Sequence, residues 1–304
     1  MSPSPNPANT MNEISARFDL VRRNSPLIHH ISNFVTLNDC ANAAYAVGAR
    51  PTMAFDPQEA AIAAGQADAI VWNLGTFNSQ ATAAILSSLP IAAARPIAIV
   101  IDPVAAQAYP GRLQFTLDCL DIFASLAKKD RLVCTILVRG NETELTALTQ
   151  NKDENSSETQ AHPTGGVDHC RKRDGVSFSA KLSIYQLFLA TFPANMALFL
   201  VETGQRDHVL FLHNGRLEQL VHEQSCLALT RITGAGCVSN TLIAATTGAA
   251  LMADIGCPRS ELAAAALAAV AGLVRAGQWA ENKSAGIGTF RSLLFDELGQ
   301  TSMT

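Results

Sequence analysis

The marks of several function classes are missing from this 304-residue chain. Its seven cysteines, at 40, 119, 134, 170, 226, 237 and 257, form no Cys-x-x-Cys pair. No histidine spacing accompanies them. His29 and His30 are adjacent, so on a helix or a strand they point apart. Neither a zinc centre nor a disulfide framework is indicated, and the thiols read as reduced. The net charge is −4 and the largest basic cluster is Arg171-Lys172-Arg173, which gives no support for nucleic-acid binding. The opening Met1–Arg17 stretch is polar, carries Pro3, Pro5 and Pro7, and lacks the apolar core of a signal peptide. It reads as a disordered tail on a cytoplasmic protein, with a single domain over 18–304. The charge-free run Leu262–Val274 is shorter than the roughly 20 residues a spanning helix needs, and it is mostly alanine, so no membrane partner is expected. Finally, the Gly-x-x-x-x-Gly-Lys-Ser/Thr motif is absent, which excludes a P-loop enzyme.

What the chain does have is apolar material: 48% hydrophobic against 16% charged, enough for a sizeable core. Short β-rich runs recur at Ala69–Trp72, Ile97–Ile101, Leu132–Val138, Ala197–Val201 and Val209–Leu212. Continuous runs of this length suit strands buried on both faces. Helical stretches alternate with them: Thr36–Val47 closing on Gly48, Ser79–Ser88, Arg112–Lys128, Glu142–Thr149, and most of the chain after Cys237. The alternation predicts a doubly wound α/β layer structure, with ligands at the carboxyl ends of the strands. Four runs end there in polar groups: Asn73, Asp102, Arg139 with Asn141, and Thr203. The segment 151–175 is polar, holds Pro163 and Gly165-Gly166, and reads as a surface loop.

Ile232-Thr233-Gly234-Ala235-Gly236-Cys237 carries the most chemistry. Two glycines leading into a long apolar stretch predict a turn feeding a helix N-terminus. Open N–H groups and the helix dipole there suit an anion such as a phosphate oxyanion. Cys237 shares that positive end, where a thiol pKa is lowered, and so is a candidate base or nucleophile. A cysteine at the start of a buried helix is also an ordinary small core residue, and both readings stand. Asp102, fixed at a strand end by Pro103, suits a hydrated Mg²⁺. Asn141 and Glu144 have the spacing of a capping box, and Glu144 is also a candidate to share that ion with Asp102. Arg139 supplies a fork suited to phosphate oxygens.

In order along the chain, these motifs resemble the hydroxyethylthiazole kinases of the ribokinase-like superfamily. The segments are Pro26-Leu27-Ile28-His29-His30-Ile31-Ser32-Asn33, Gly48-Ala49-Arg50-Pro51-Thr52-Met53-Ala54, Ile101-Asp102-Pro103-Val104-Ala105, Val138-Arg139-Gly140-Asn141-Glu142-Thr143-Glu144, Thr233-Gly234-Ala235-Gly236-Cys237 and Gly286-Ile287-Gly288-Thr289-Phe290-Arg291. The likeness spans roughly residues 20 to 298. It implies a three-layer α/β/α sandwich with a mainly parallel central sheet. It implies ATP- and Mg²⁺-dependent phosphorylation of the primary hydroxyl of 4-methyl-5-(2-hydroxyethyl)thiazole, a salvage step toward thiamine. By the same resemblance, Met53, Gly234 and Asn33 contact the thiazole, Arg139 and Thr203 hold ATP phosphates, Asp102 and Glu144 serve Mg²⁺, and Cys237 lies where the base belongs. The family forms homotrimers with sites between subunits, which would turn His30 and Asn33 toward a neighbour's substrate.

The pattern is broken in places. Glu202 stands where a small apolar residue is usual, and a carboxylate there repels phosphate unless it points away. Asn214-Gly215 replaces an Asp-Gly turn, itself a strong hairpin signal. Pro193 falls in an expected helix, and the 151–175 loop is long. Three rival readings follow: a hydroxymethylpyrimidine-type kinase, a non-catalytic thiazole- or nucleotide-binding protein, and a cysteine hydrolase. The last lacks an evident His partner.

Overall fold

The computed structural model describes residues 11–150 and 178–300. Its elements are α1 (Met11–Asn24), β1 (Leu27–Ile31), α2 (Leu37–Ala46), β2 (Arg50–Thr52), α3 (Pro57–Gln66), β3 (Ala69–Asn73), α4 (Ser79–Ala93), β4 (Ala98–Asp102), α5 (Pro110–Ala127), β5 (Thr135–Asn141), α6 (Glu142–Gln150), α7 (Phe178–Ala190), β6 (Ala197–Thr203), β7 (Asp207–His213), β8 (Arg216–His222), α8 (Ala235–Ala253), α9 (Arg259–Lys283) and α10 (Ile287–Gln300). The strands form one sheet in the order β2-β1-β3-β4-β5-β6-β7-β8. β2 through β6 in that order run parallel, and β7 and β8 are added antiparallel.

Strand side chains alternate between two cores. Val71, Val100, Leu137 and Val201 face α1, α2, α8, α9 and α10. Trp72, Ile101, Val138 and Leu200 face α3 through α7. This double burial is why the central strands read as unbroken apolar runs. Continuing the alternation by one residue puts Asn73, Asp102, Arg139 and Thr203 all on the α8 face. Register completes the grouping: Asn73 is paired with Asp102, and Asn141 with Thr203.

Several expectations shift. Residues 11–17, assigned to the polar tail, belong to α1, because Ile14, Phe18 and Val21 recur at helical spacing and are buried against the core. The strand expected over 132–138 begins at Thr135 instead. The backbone N–H groups of Val133 and Cys134 donate to Ala93 O at the end of α4 and hold those residues out of the sheet. Three strands escaped the sequence reading. β8 is an edge strand with mostly exposed polar residues, β2 is a three-residue edge strand holding Pro51, and β1 hides two buried histidines. Asn214 and Gly215 both have positive φ, 50° and 75°, as the primed turn of the β7–β8 hairpin requires. Pro193 lies beyond the end of α7, so no helix is broken. The 151–175 segment lies outside the described residues. α8 and α9 are long and apolar enough to cross a bilayer, but 78% and 83% of their apolar windows are buried inside the molecule, so those faces serve its own core.

Candidate active site

A cavity of about 560 Å³ opens at the carboxyl ends of β3 to β6, beside the N-terminus of α8. That volume falls in the usual range for small-molecule sites. Asn33, Asp102, Arg139, Glu144, Thr203, Gly234 and Cys237 all line it. Of the expected site residues, Met53 alone stands apart: it follows the edge strand β2 and does not reach this cavity. His30 does not face outward either. It is fully buried, with its Nε2 at 3.1 Å from Thr241 Oγ1.

The glycine turn is built by close contact. Gly234 has φ 92°, and a Cβ there would lie 2.5 Å from Thr36 Cγ2. A Cβ on Gly236 would lie 2.5 Å from Arg139 Nη1, so its absence lets the guanidinium sit against the start of α8. The first helical hydrogen bond runs from Val238 N to Gly234 O at 2.9 Å. The N–H groups of Ala235, Gly236 and Cys237 have no protein acceptor among the described residues, and no side chain caps the helix. A cation and a helix N-terminus, both electropositive, therefore converge on one space. Asp102 offsets Arg139 on one side, and the space left between the guanidinium and the open amides favours an anion.

Two acidic groups share this cavity, Asp102 within 3.4 Å of Arg139. Asp102 is 2% exposed. Its Oδ1 accepts Val104 N at 3.1 Å, while Oδ2 accepts Asn240 Nδ2 at 2.6 Å and the weaker donors Arg139 Nη1 and Asn73 Nδ2, each at 3.4 Å. Glu144 belongs to a reciprocal capping box: its N–H donates to Asn141 Oδ1 at 3.0 Å, and its Oε2 accepts Asn141 N at 2.8 Å. Its Oε1 accepts Ala105 N at 2.6 Å, which ties α6 to the loop after β4. The residue that completes the capping box also lines the cavity. Burial first, then the charge of Asp102, push the Glu144 carboxyl above the usual carboxylate range, against the pull of Arg139 and two backbone N–H groups. Two buried carboxylates repelling each other at a cavity wall suit a divalent cation that keeps water and phosphate in its shell. Asp102 Oδ1 and both Glu144 oxygens accept one donor each and keep a lone pair free, so the donor set fits Mg²⁺, while Asp102 Oδ2 is already taken up by its three donors. Arg139 Nη2 donates to Thr203 Oγ1 at 2.5 Å.

Cys237 departs from the sequence expectation. Its thiol is pushed up, not down: burial is the largest cause and Asp102 the next, ahead of the opposing Thr36, Asn33 and Arg139. Helix position loses to desolvation and a nearby carboxylate. The sulfur accepts Asn33 Nδ2 and Asn73 Nδ2, each at 3.2 Å. Asn240 and Thr36 were missed by the sequence reading, and Asn73 was noted only as a strand end. A signal existed for Asn240: it is the one amide side chain on α8, three residues after Cys237. Glu202 points away from the cavity, into the α7 layer, where Lys181 Nζ donates to it at 2.7 Å and Tyr185 Oη at 2.5 Å. The opposite wall is apolar, with Leu229, Val270, Leu273 and Val274.

Fold and site together define a ribokinase-like α/β/α protein with an anion-directed cavity at its strand ends. Among solved structures, hydroxyethylthiazole kinase from Pyrococcus horikoshii superposes with a TM-score of 0.72 at 24% identity, covering 95% of this chain and 93% of that one. A ribokinase-like superfamily protein from Enterococcus faecalis shares the fold with a TM-score of 0.51 at 12% identity, covering 94% of this chain and 95% of that one. The hydroxyethylthiazole kinase of Syntrophomonas wolfei is 32% identical over 92% of this chain and 91% of its own. That of Methanoculleus marisnigri is 30% identical over 97% and 95%. The family model for hydroxyethylthiazole kinases matches residues 18–303, and the chain belongs to that family.

Proposed function

We propose that this protein transfers the γ-phosphoryl group of ATP to the primary hydroxyl of 4-methyl-5-(2-hydroxyethyl)thiazole, a salvage step toward thiamine. The observation that carries the reading is the meeting of Arg139 with the open amides of α8, at a spot where only Gly236 permits it. Phosphoryl transfer asks for positioning and for charge offset on the moving group, and little covalent help. Arg139 and the amides of residues 235–237 hold the transferring phosphoryl. Thr203 steadies Arg139 and contacts the phosphate chain. Asp102 and Glu144 would hold Mg²⁺, which when bound offsets charge on the phosphates. The apolar wall of Leu229, Val270, Leu273 and Val274 suits the flat base of the nucleotide.

Asn33 and Gly234 border the acceptor alcohol. Cys237 stands beside the attacking oxygen. With its pKa raised, it stays a thiol at neutral pH and packs beside that oxygen without acting as its base; the hydroxyl proton leaves late with the transferred phosphoryl, a light demand in a loose transition state. Met53 reaches substrate from a neighbouring subunit of a homotrimer, which accounts for its distance from its own chain's cavity. The protein works in the cytoplasm, where its thiols stay reduced.

One experiment tests this. ADP release is followed over a panel of small alcohols, with and without Mg²⁺, alongside the solution mass of the protein. Turnover of the thiazole alcohol that depends on Mg²⁺ is expected. Turnover of a hydroxymethylpyrimidine instead would overturn the substrate, and tight binding with no ADP would make the protein a binder.

A further inference from the structure

Asn73 does not line the cavity, yet its amide touches four residues that do: Gly75, Asn33, Cys237 and Asp102. Its Oδ1 accepts the backbone N–H of Gly75 at 3.0 Å. A backbone N–H can only donate, so this bond settles which end of the amide is oxygen. Nδ2 must then face the other way, and its two hydrogens meet Cys237 Sγ at 3.2 Å and Asp102 Oδ2 at 3.4 Å. Asn33 is locked by the same device. Its Oδ1 accepts Thr36 N at 3.0 Å, which aims its Nδ2 at Asn73 Oδ1, 3.0 Å away, and at Cys237 Sγ, 3.2 Å away. The packing leaves no slack: a Cβ on Gly75 would lie 3.0 Å from both Asn33 Cβ and Asn73 Oδ1. Asn73 is 4% exposed, so water does not compete for these bonds.

We propose that Asn73 is a positioning residue of the phosphoryl-transfer site, whose locked amide clamps the Cys237 sulfur to the acidic wall at Asp102. This rests on the kinase reading above. Asn73 touches no substrate; it acts by holding Cys237 in line with the acceptor oxygen. Loss of the clamp frees the sulfur to turn, which lowers the rate of the bound complex and leaves binding nearly intact.

The test is a double-mutant cycle on the full chain, with kcat and both KM values measured. Asn73→Ser removes the donor pair. Asn73→Thr removes it too, and its hydroxyl keeps an acceptor for Gly75 N in the strand-end turn without adding charge beside Asp102. In the wild-type background each lowers kcat at least tenfold, with both KM values within about threefold. In the Cys237→Ala background the same changes cost less than threefold, because the partner is already gone. Equal losses in both backgrounds, a rise in KM with kcat intact, or no loss at all would overturn the proposal. A second readout needs no turnover: the Asn73 side-chain amide resonances, identified by their disappearance in Asn73→Ser, shift on Cys237→Ala. Unmoved resonances would refute the clamp whatever the substrate is. Shifted resonances with no kinase activity would instead refute the kinase reading.

Discussion

Two of the buried acidic centres sit at strand ends with one strand between them, and the protein treats them differently. Glu202, on β6, is matched by its own lysine and tyrosine; Lys181 and Tyr185 approach from α7 and close the site. Asp102, on the other face at the end of β4, and Glu144, at the start of α6, have backbone and amide donors and a single arginine to share. The first group is neutralised within the fold. The second keeps unbalanced charge at a cavity wall, and the strain shows in Glu144, whose carboxyl is driven up by burial and by Asp102. Charge that a protein leaves unmatched at a cavity is charge reserved for a ligand.

The sharpest way to break this contrast is Arg139→Ala. It removes the one cation of the reserved group and is expected to lower kcat/KM about 10³-fold, roughly 4 kcal/mol of transition-state stabilisation, in a steady-state ADP assay. Lys181→Met strikes the matched group instead. It strands Glu202 and is expected to cost about 3 kcal/mol of stability in a urea melt, with kcat of the folded protein unchanged. A fall in kcat would mean that the two groups are not independent. Cys237→Ala comes next, with a loss of about 10²-fold or less and measurable turnover remaining. If it proved deader than Arg139→Ala, the sulfur and not the phosphate clamp would dominate.

The smallest effect concerns a third kind of buried group. His30 is held neutral by burial, with His29 beside it, and its pKa falls to about 3 from an ordinary 6.5. The unfolded chain takes up a proton as pH drops below 6.5; the folded chain does not until about 3. His30 therefore contributes stability above pH 6.5 that is lost as pH falls through this window, at about 1.4 kcal/mol per pH unit. His30→Gln should remove one such slope from melts between pH 6.5 and 5. Melts of the variant that track the wild type across that range would show that His30 takes up its proton equally in both states.

Much of the site could be read because strands obey a two-residue period. Once Asp102 and Arg139 follow directly on apolar runs, parity alone sets them on one face with Asn73 and Thr203 and sends Glu202 to the other. The glycine turn was legible because few other sequences permit so open a helix start. What stayed hidden were quantities set by three-dimensional crowding. The thiol of Cys237 moved opposite to expectation because Asp102 and burial outweigh a helix end, and no spacing in the chain encodes that balance. The amides of Asn73 and Asn240 were obscure for the same reason: their worth lies in partners 164 and 138 residues away. The start of α1, residues 11–17, was taken for tail because Pro3, Pro5 and Pro7 just before it and its polar residues obscured the buried Ile14.

Glu144 ties the start of its own helix, at Asn141, to Ala105, 39 residues before it, with one oxygen to each. Until the strand bearing Asp102 and the helix bearing Glu144 have docked, neither acidic group has a fixed place. A half-folded chain thus offers no ordered seat for nucleotide, and nucleotide binding reports on the completed chain alone.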